Sequence, residues 1–363
     1  MRWAKKAQVQ IERHMRICIG TPDERAPVRS IAASEPILSE AASLVMRGNY
    51  NFNLPDALLN VLDAYVISHG DRGELLVAAF FTRARDLLVL KLTGVFPYGL
   101  VCPTFSVKDL LSNLFHDAPS AFDVLLVSMP SICRPDFSPQ KFGEVFGRTG
   151  MHFSHIIKPF KQEAFARPYL VAMMARSAAA LVANFQPGFD VVYPFLYETN
   201  DLVVNKVGFI TVQIKNHTND MIPNAELFRK MDPFLCELLG KEDRPQFTIP
   251  IIRFLFELGG EKSFVQQQTY AAAKDGAATV DANGRPYFTS YDFWCSGLGP
   301  GLFQAVDEGE VHKWETLLRK TDSWHDVYST SKDPDLRRSQ HPAGGADIGH
   351  FDAWVPPSQI LDE

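Results

Sequence analysis

Two polar side chains interrupt a stretch that is otherwise apolar. Residues 207–217, VGFITVQIKNH, read as a buried β-strand, yet Gln213 and Lys215 stand two apart in it. The pleat sets such residues side by side on one face. Ile210, Val212 and Ile214 then form the opposite face, suited to packing on helices, while Thr211, Gln213 and Lys215 share the other. A lysine in such a strand is costly to bury without an anionic partner. The nearest candidate is Asp190, which opens the strand after the turn residues Gln186-Pro187-Gly188. If the two strands pair, Asp190, Gln213 and Lys215 converge at one end of the sheet. A second carboxylate from an adjacent helix would complete a small acidic cradle, and Glu74 in RGELLVAAFF is the candidate. Taken alone, the same residues also fit ordinary roles: Lys215 capping a strand end, Glu74 on a solvated helix face, Asp190 in a turn.

The elements that must position these groups follow from periodicity. Leu58, Val61, Leu62 and Tyr65 repeat at helical spacing, and His69, Gly70 and Asp71 break the run. Residues 72–92, RGELLVAAFFTRARDLLVLKL, form the strongest helical pattern in the chain, rich in good helix formers. SVKDLLSNLFHD predicts a short helix, and MHFSHIIKPF (151–160) a short strand. The pattern in KQEAFARPYLVAMMARSAAA is helical, with an interruption expected at Pro168. AALVANF and FDVVYPFLY are β-prone runs flanking Gln-Pro-Gly, where proline presets φ and glycine tolerates a positive one. A helix over 223–240, capped by Asn224 and ended by Gly240, precedes another strand in QFTIPIIRFLFELGG. Asn283-Gly284 signals a hairpin, and EVHKWETLLRKTDSWHDVY a closing helix. The alternation predicts an α/β (α+β) fold: a mixed central sheet flanked by helices. The expected organisation is a lead-in over 1–50, one domain over 51–330 with a helical insertion at about 93–165, and a flexible tail over 331–363.

The chain has 363 residues, with 46% hydrophobic and 21% charged side chains, an ordinary globular composition able to bury a large core. A net charge of −6 argues against coating nucleic acid along the whole surface, though a local basic groove is compatible with it. Cys18, Cys102, Cys133, Cys236 and Cys295 are odd in number, scattered and without a CxxC pair. Reduced thiols in an intracellular protein, nuclear or cytoplasmic, are the expectation. The basic start lacks the apolar core of a secretory signal and reads as an amphipathic or frayed helix. No run approaches the roughly 18 to 20 apolar residues of a membrane span.

Glu74 on a helix, Asp190 on a strand, Gln213-Ile214-Lys215 on the next strand, then a helix and a strand: this order resembles the PD-(D/E)XK, or restriction-endonuclease-like, nuclease superfamily. Over about residues 70–330 the chain is similar to an expanded set of fungal proteins related to the nuclease domains of Crinkler and retrotransposon-hot-spot proteins. The resemblance implies a restriction-endonuclease-like core, a Mg²⁺ (or Mn²⁺) cofactor, and phosphodiester hydrolysis with nucleic acid, DNA ahead of RNA, as partner. A divalent ion in such a site serves as Lewis acid and water activator. Mg²⁺ takes oxygen ligands and retains several waters. By this resemblance Asp190 holds the metal, Gln213 lends its carbonyl oxygen, and Glu74 binds directly or through water. Lys215 orients the attacking water or offsets charge on the phosphate. The family's usual acid two positions before the lysine is Gln213 here, which removes a negative charge and weakens metal binding. An inactive nuclease-fold protein that binds nucleic acid or a protein partner is the alternative.

Other constellations carry less. His152 and His155 lack a second His or Cys pair at zinc-finger spacing. GLGPGL (297–302) has no phosphate-loop lysine and reads as turn; no GxSxG occurs. Arg83, Arg85, Lys158, Lys161 and Arg167 are possible phosphate contacts, with a solvated helix face as the alternative. Phe195, Tyr197, Phe209 and Trp294 suit base stacking or, more simply, a core.

Overall fold

Apolar β-prone runs and one long helix dictate the architecture. The computed structural model describes residues 16–20, 29–32, 35–48, 52–64, 69–93, 103–116, 121–158, 166–182, 188–199, 201–216, 224–244, 246–270 and 278–319. In chain order these form β1 (Arg16–Gly20), β2 (Arg29–Ala32), α1 (Glu35–Gly48), α2 (Leu54–Ala64), α3 (His69–Thr93), α4 (Val107–Leu114), α5 (Ala121–Val127), α6 (Phe142–Phe146), β3 (Thr149–Gly150), β4 (His155–Ile157), α7 (Arg167–Ala175), β5 (Ala178–Leu181), β6 (Val191–Tyr197), β7 (Val207–Lys215), α8 (Ala225–Lys230), β8 (Ile251–Glu257), β9 (Phe264–Gln267), β10 (Ser290–Ser296) and α9 (Val311–Arg319). The fold is mixed α/β, with a central mixed sheet flanked by helices.

That sheet runs β4-β5-β6-β7-β8-β10-β9, with β3 also against β6. β5, β6 and β7 form an antiparallel meander. β8 then pairs parallel to β7, and β10 parallel to β8. A parallel neighbour needs a crossover, and α8 lies in the one between β7 and β8. In the register, Thr211, Gln213 and Lys215 stand beside Arg253, Leu255 and Glu257, which stand beside Asp292, Trp294 and Ser296. Period-two alternation gives these one face, and Ile210, Val212 and Ile214 the other.

α3 covers the aliphatic face. Phe81 stacks on Tyr193 with centroids 4.3 Å apart and meets Phe256 edge-on. Phe80 packs on Phe303 and Trp314. Each such fully buried ring contributes about 1.5–3 kcal/mol of hydrophobic stabilisation. On the polar-bearing face, Phe228 and Met231 pack on Leu255, with Leu227, Tyr270 and Trp294 at their rim. There too lies a closed ion pair. Arg253 donates to both oxygens of Asp292 (2.7 and 2.6 Å) and to the Phe228 carbonyl (2.7 Å), and both side chains are 0% exposed.

Several local expectations change. Residues 21–50 read as a loose lead-in, yet Glu35–Gly48 is a helix and Arg29–Ala32 pairs with Arg16–Gly20. Glu40 anchors α1 through an ion pair to buried Arg85. That pair, with Asp86, also corrects the reading of Arg85 as a phosphate contact or solvated residue. His69, Gly70 and Asp71 do not break a helix; they begin α3. Pro168 starts α7 rather than interrupting it, because its missing N–H is one the first turn leaves unpaired anyway. The helix expected over 223–240 ends at Lys230, and Pro233 lies in the turns beyond. Asn224 caps it as expected, accepting from Leu227 N–H. The β4, β5, β6, β8 and 107–114 helix assignments stand where the periodicity placed them. Gly284 (φ +76°) makes the hairpin turn between bridged Val280 and Pro286. Residues 1–15, Gln186, Pro187, Lys161 and 331–363 lie outside the described residues. No helix among those described is long and apolar enough to cross a membrane. Cys133, Cys236 and Cys295 are free thiols.

Candidate functional site

Asp190 and Gln213 meet because β6 and β7 are antiparallel. Val191 pairs with Val212, so Asp190 falls opposite Gln213 at the strand end, its N–H donating to the Val212 carbonyl at 2.7 Å. Gly188 makes the entry possible. Its φ is +102°, and a Cβ there would sit 2.2 Å from the Lys230 carbonyl. Asp190 Oδ2 accepts from Gln213 Nε2 at 2.7 Å and from Ile214 N–H at 2.5 Å. Among the described residues neither its Oδ1 nor the Gln213 carbonyl oxygen carries a hydrogen bond.

Glu74 reaches this strand end because α3 comes very close to β7. A Cβ on Gly73 would touch Ile214 Cγ2 at 3.0 Å and Asn216 Cβ at 3.6 Å, so glycine admits the approach and the next residue is carried to the sheet edge. The Glu74 carboxyl is pushed up to about 7, first by burial and then by the charge of Asp190. Asp71 adds to the rise and Lys158 opposes it. Asp190 is also raised by burial, against the opposing Ile214 N–H, the Lys215 charge and the Gln213 amide. Both carboxyls are thus raised by burial with incomplete compensation, and the Asp190 charge reaches Glu74. Lys215 lies close enough to Asp190 for its charge to act on it. All four residues singled out from the sequence, Glu74, Asp190, Gln213 and Lys215, meet at one sheet end.

The surroundings add one residue that the sequence reading missed. Glu257 pairs in register with Lys215, on the same face of the neighbouring parallel strand. It is 1% exposed, and its Oε2 accepts from Trp294 Nε1 (3.1 Å) and Ser296 Oγ (3.2 Å). Lys215 thus has an acid on each adjacent strand. The available signal was a lone acid ending the apolar run IIRFLFE, as Lys215 ends VGFITVQIK. Lys158 also belongs here: its Nζ lies 3.9 Å from Asp71, and its charge reaches Glu74.

The remaining candidates disperse. His152 hydrogen-bonds the Pro103 carbonyl at 3.1 Å and is pushed down to about 4 by burial and the Arg85 charge. His155 lies beside Ser154 and Glu35. Arg167 is committed to Asp243 and the Val204 carbonyl. Arg83 is exposed on α3. Residues 297–299 are irregular and 300–302 form a turn. Phe195, Tyr197 and Phe209 belong to the core, as the simpler reading had it, and Trp294 is held by Glu257.

A small divalent cation fits the chemistry of this donor set. Asp190 Oδ1, the Glu74 carboxylate and the Gln213 carbonyl are all hard oxygens, and a cation would relieve both raised carboxyls. Among the described residues no set of three His, Cys, Asp or Glu side chains is grouped to hold a metal, so an amide oxygen and waters would complete the shell. No protein-family model, curated protein or solved structure matches the chain.

Proposed function

We propose that the chain is a metal-dependent phosphodiesterase acting on nucleic acid, DNA ahead of RNA, on a restriction-endonuclease-like core. One observation carries this reading: two under-compensated carboxylates, an amide and a lysine meet at a single strand end. The order α3, β6, β7, α8, β8 supports it, being the helix, two strands, helix and strand on which the sequence resemblance rests. Glu74, Asp190 and Gln213 would hold Mg²⁺ or Mn²⁺. The bound ion supplies Lewis acidity toward the phosphate and lowers the pKa of an attacking water. Lys215 orients that water and offsets charge on the phosphate oxygens as the new P–O bond forms and the ester P–O bond breaks. Asp190 keeps its orientation through the Gln213 amide and the Ile214 N–H.

Purified protein incubated with supercoiled plasmid and Mg²⁺ or Mn²⁺ tests this. Wild type nicks, whereas Asp190→Ala and Lys215→Ala lose activity by about 10²-fold or more. Equal nicking by all three sinks the reading. A second reading rests on Gln213, whose amide already meets part of the charge demand of Asp190. In that case the protein binds nucleic acid or a protein partner without cleaving, and Gln213→Glu is the variant expected to gain nicking.

A further inference from the structure

At the other end of the sheet the chain builds a charged cavity. β7, β8 and β10 run parallel, so Lys215 and Glu257 close their C-terminal ends. Arg244 precedes β8 and Tyr287 precedes β10, which places both at the N-terminal ends. Seven-residue strands at about 3.3 Å per residue separate the two ends by about 20 Å. A cavity of about 380 Å³ there is lined by Arg134, Arg244, Arg285, Asp136, Asp281 and Tyr287, with Pro135 and Pro286.

The lining charges are not balanced against one another. Asp136 is engaged by Arg134 Nε at 2.6 Å. Asp281 Oδ1 caps the hairpin through the N–H groups of Asn283 and Arg285. Its Oδ2 lies 3.9 Å from Arg285 Nε. Arg134 Nη1 ties the walls together by donating to the carbonyls of Arg244, Phe247 and Tyr287. Arg244 differs. Its guanidinium lies over the rings of Phe234 (5.6 Å) and Tyr287 (5.2 Å). Arg244 is half-buried; its Nε is buried with no hydrogen-bond partner, and among the described residues no carboxylate pairs with its guanidinium. A half-buried guanidinium without a carboxylate partner, in a cavity of net positive lining, can offer its outer Nη donors to an anionic acceptor.

We propose that this cavity binds a small phosphate-bearing anion, with Arg244 as its principal ligand. The aromatic rings hold the guanidinium plane, so its fork is arranged before the ligand arrives. Arg285 supplies an adjustable second charge at the mouth, and Arg134 contributes field rather than free donors. The cavity is of the size that admits a nucleotide-sized molecule, about 300 Å³ or more. The proposal is independent of the nuclease reading, because neither set of residues touches the other end.

Inorganic pyrophosphate is the probe, titrated by calorimetry into the full chain in EDTA at constant ionic strength. Wild type and Asp190→Asn bind equally, Arg244→Lys binds about tenfold more weakly, and exposed Arg285→Gln weakens binding by a smaller factor. Lysine keeps the charge and stem but loses the fork, and the exposed site tests the cavity without disturbing the core. Absence of pyrophosphate binding by folded wild type overturns the proposal. So does equal binding by wild type, Arg244→Lys and Arg285→Gln. Loss of binding in Asp190→Asn alone also overturns it, by assigning the anion to the Lys215 end.

Discussion

Two clusters of charge belong to the same sheet, one within a face and one at a strand end, and only one is complete. Arg253 and Asp292 lie on neighbouring strands, are fully buried, and satisfy each other bidentately, with the Phe228 carbonyl taking a further guanidinium donor. Glu74, Asp190 and Lys215 lie at the strand end, half-buried, with both carboxyls raised and the charges unequal. A matched pair of this kind holds strands in register. An unmatched set of acids at an edge costs stability in the free protein and is relieved when a cation enters. Burial alone therefore does not mark a site. Incomplete compensation does.

Breaking the closed pair is expected to have the largest effect. Arg253→Met strands the Asp292 carboxylate and lowers unfolding free energy by about 3–5 kcal/mol, read by urea denaturation. The double variant Arg253→Met/Asp292→Leu loses much less, since an apolar replacement leaves no orphan charge. Equal losses in single and double variants would contradict the matched-pair description.

The open cluster is expected to respond to metal instead. Mn²⁺ or Mg²⁺ at about 100 times its dissociation constant stabilises wild type by about 2.7 kcal/mol and leaves Asp190→Asn unchanged. The stabilisation grows from pH 5.5 to pH 8, because the cation competes with protons on Glu74 and Asp190. Gln213→Glu tightens metal binding by restoring a charge. A melting temperature indifferent to metal at pH 8 would leave the cluster without its proposed occupant.

The smallest effect concerns Glu74 in the metal-free protein. Its folded-state value, about 7, lies above the ordinary 4.5. The stability it contributes is fully present below about pH 4.5 and is lost as pH rises through about 7. Glu74→Gln is thus neutral at pH 4 and stabilising at pH 8, by about 1 kcal/mol after solvent screening of this half-exposed group. The same shift at both pH values would show that the carboxyl is not under-compensated.

Much of this comparison was legible in the sequence. Alternation in VGFITVQIK put Gln213 and Lys215 on one face, and Gln-Pro-Gly placed Asp190 at the entry to the preceding strand. The strong helix carrying Glu74 stood out by period. The 29–48 elements were less visible, since α1 is held in part by Glu40 reaching Arg85, 45 residues away. Glu257, Asp292 and Arg253 gave no motif to read, because each finds its partner across strands distant in the chain.

The sequence by itself determined the local periods: which residues alternate on β7, where proline permits a helix to begin, and where glycine permits a turn. Only the tertiary structure decided that α3 lies against Ile214, that β8 runs beside β7, and that Lys215 has an acid on either side. The reason is physical. Side-chain direction within a strand follows from bonded geometry, whereas neighbours across strands follow from how the whole core closes, and no short window of residues contains that information.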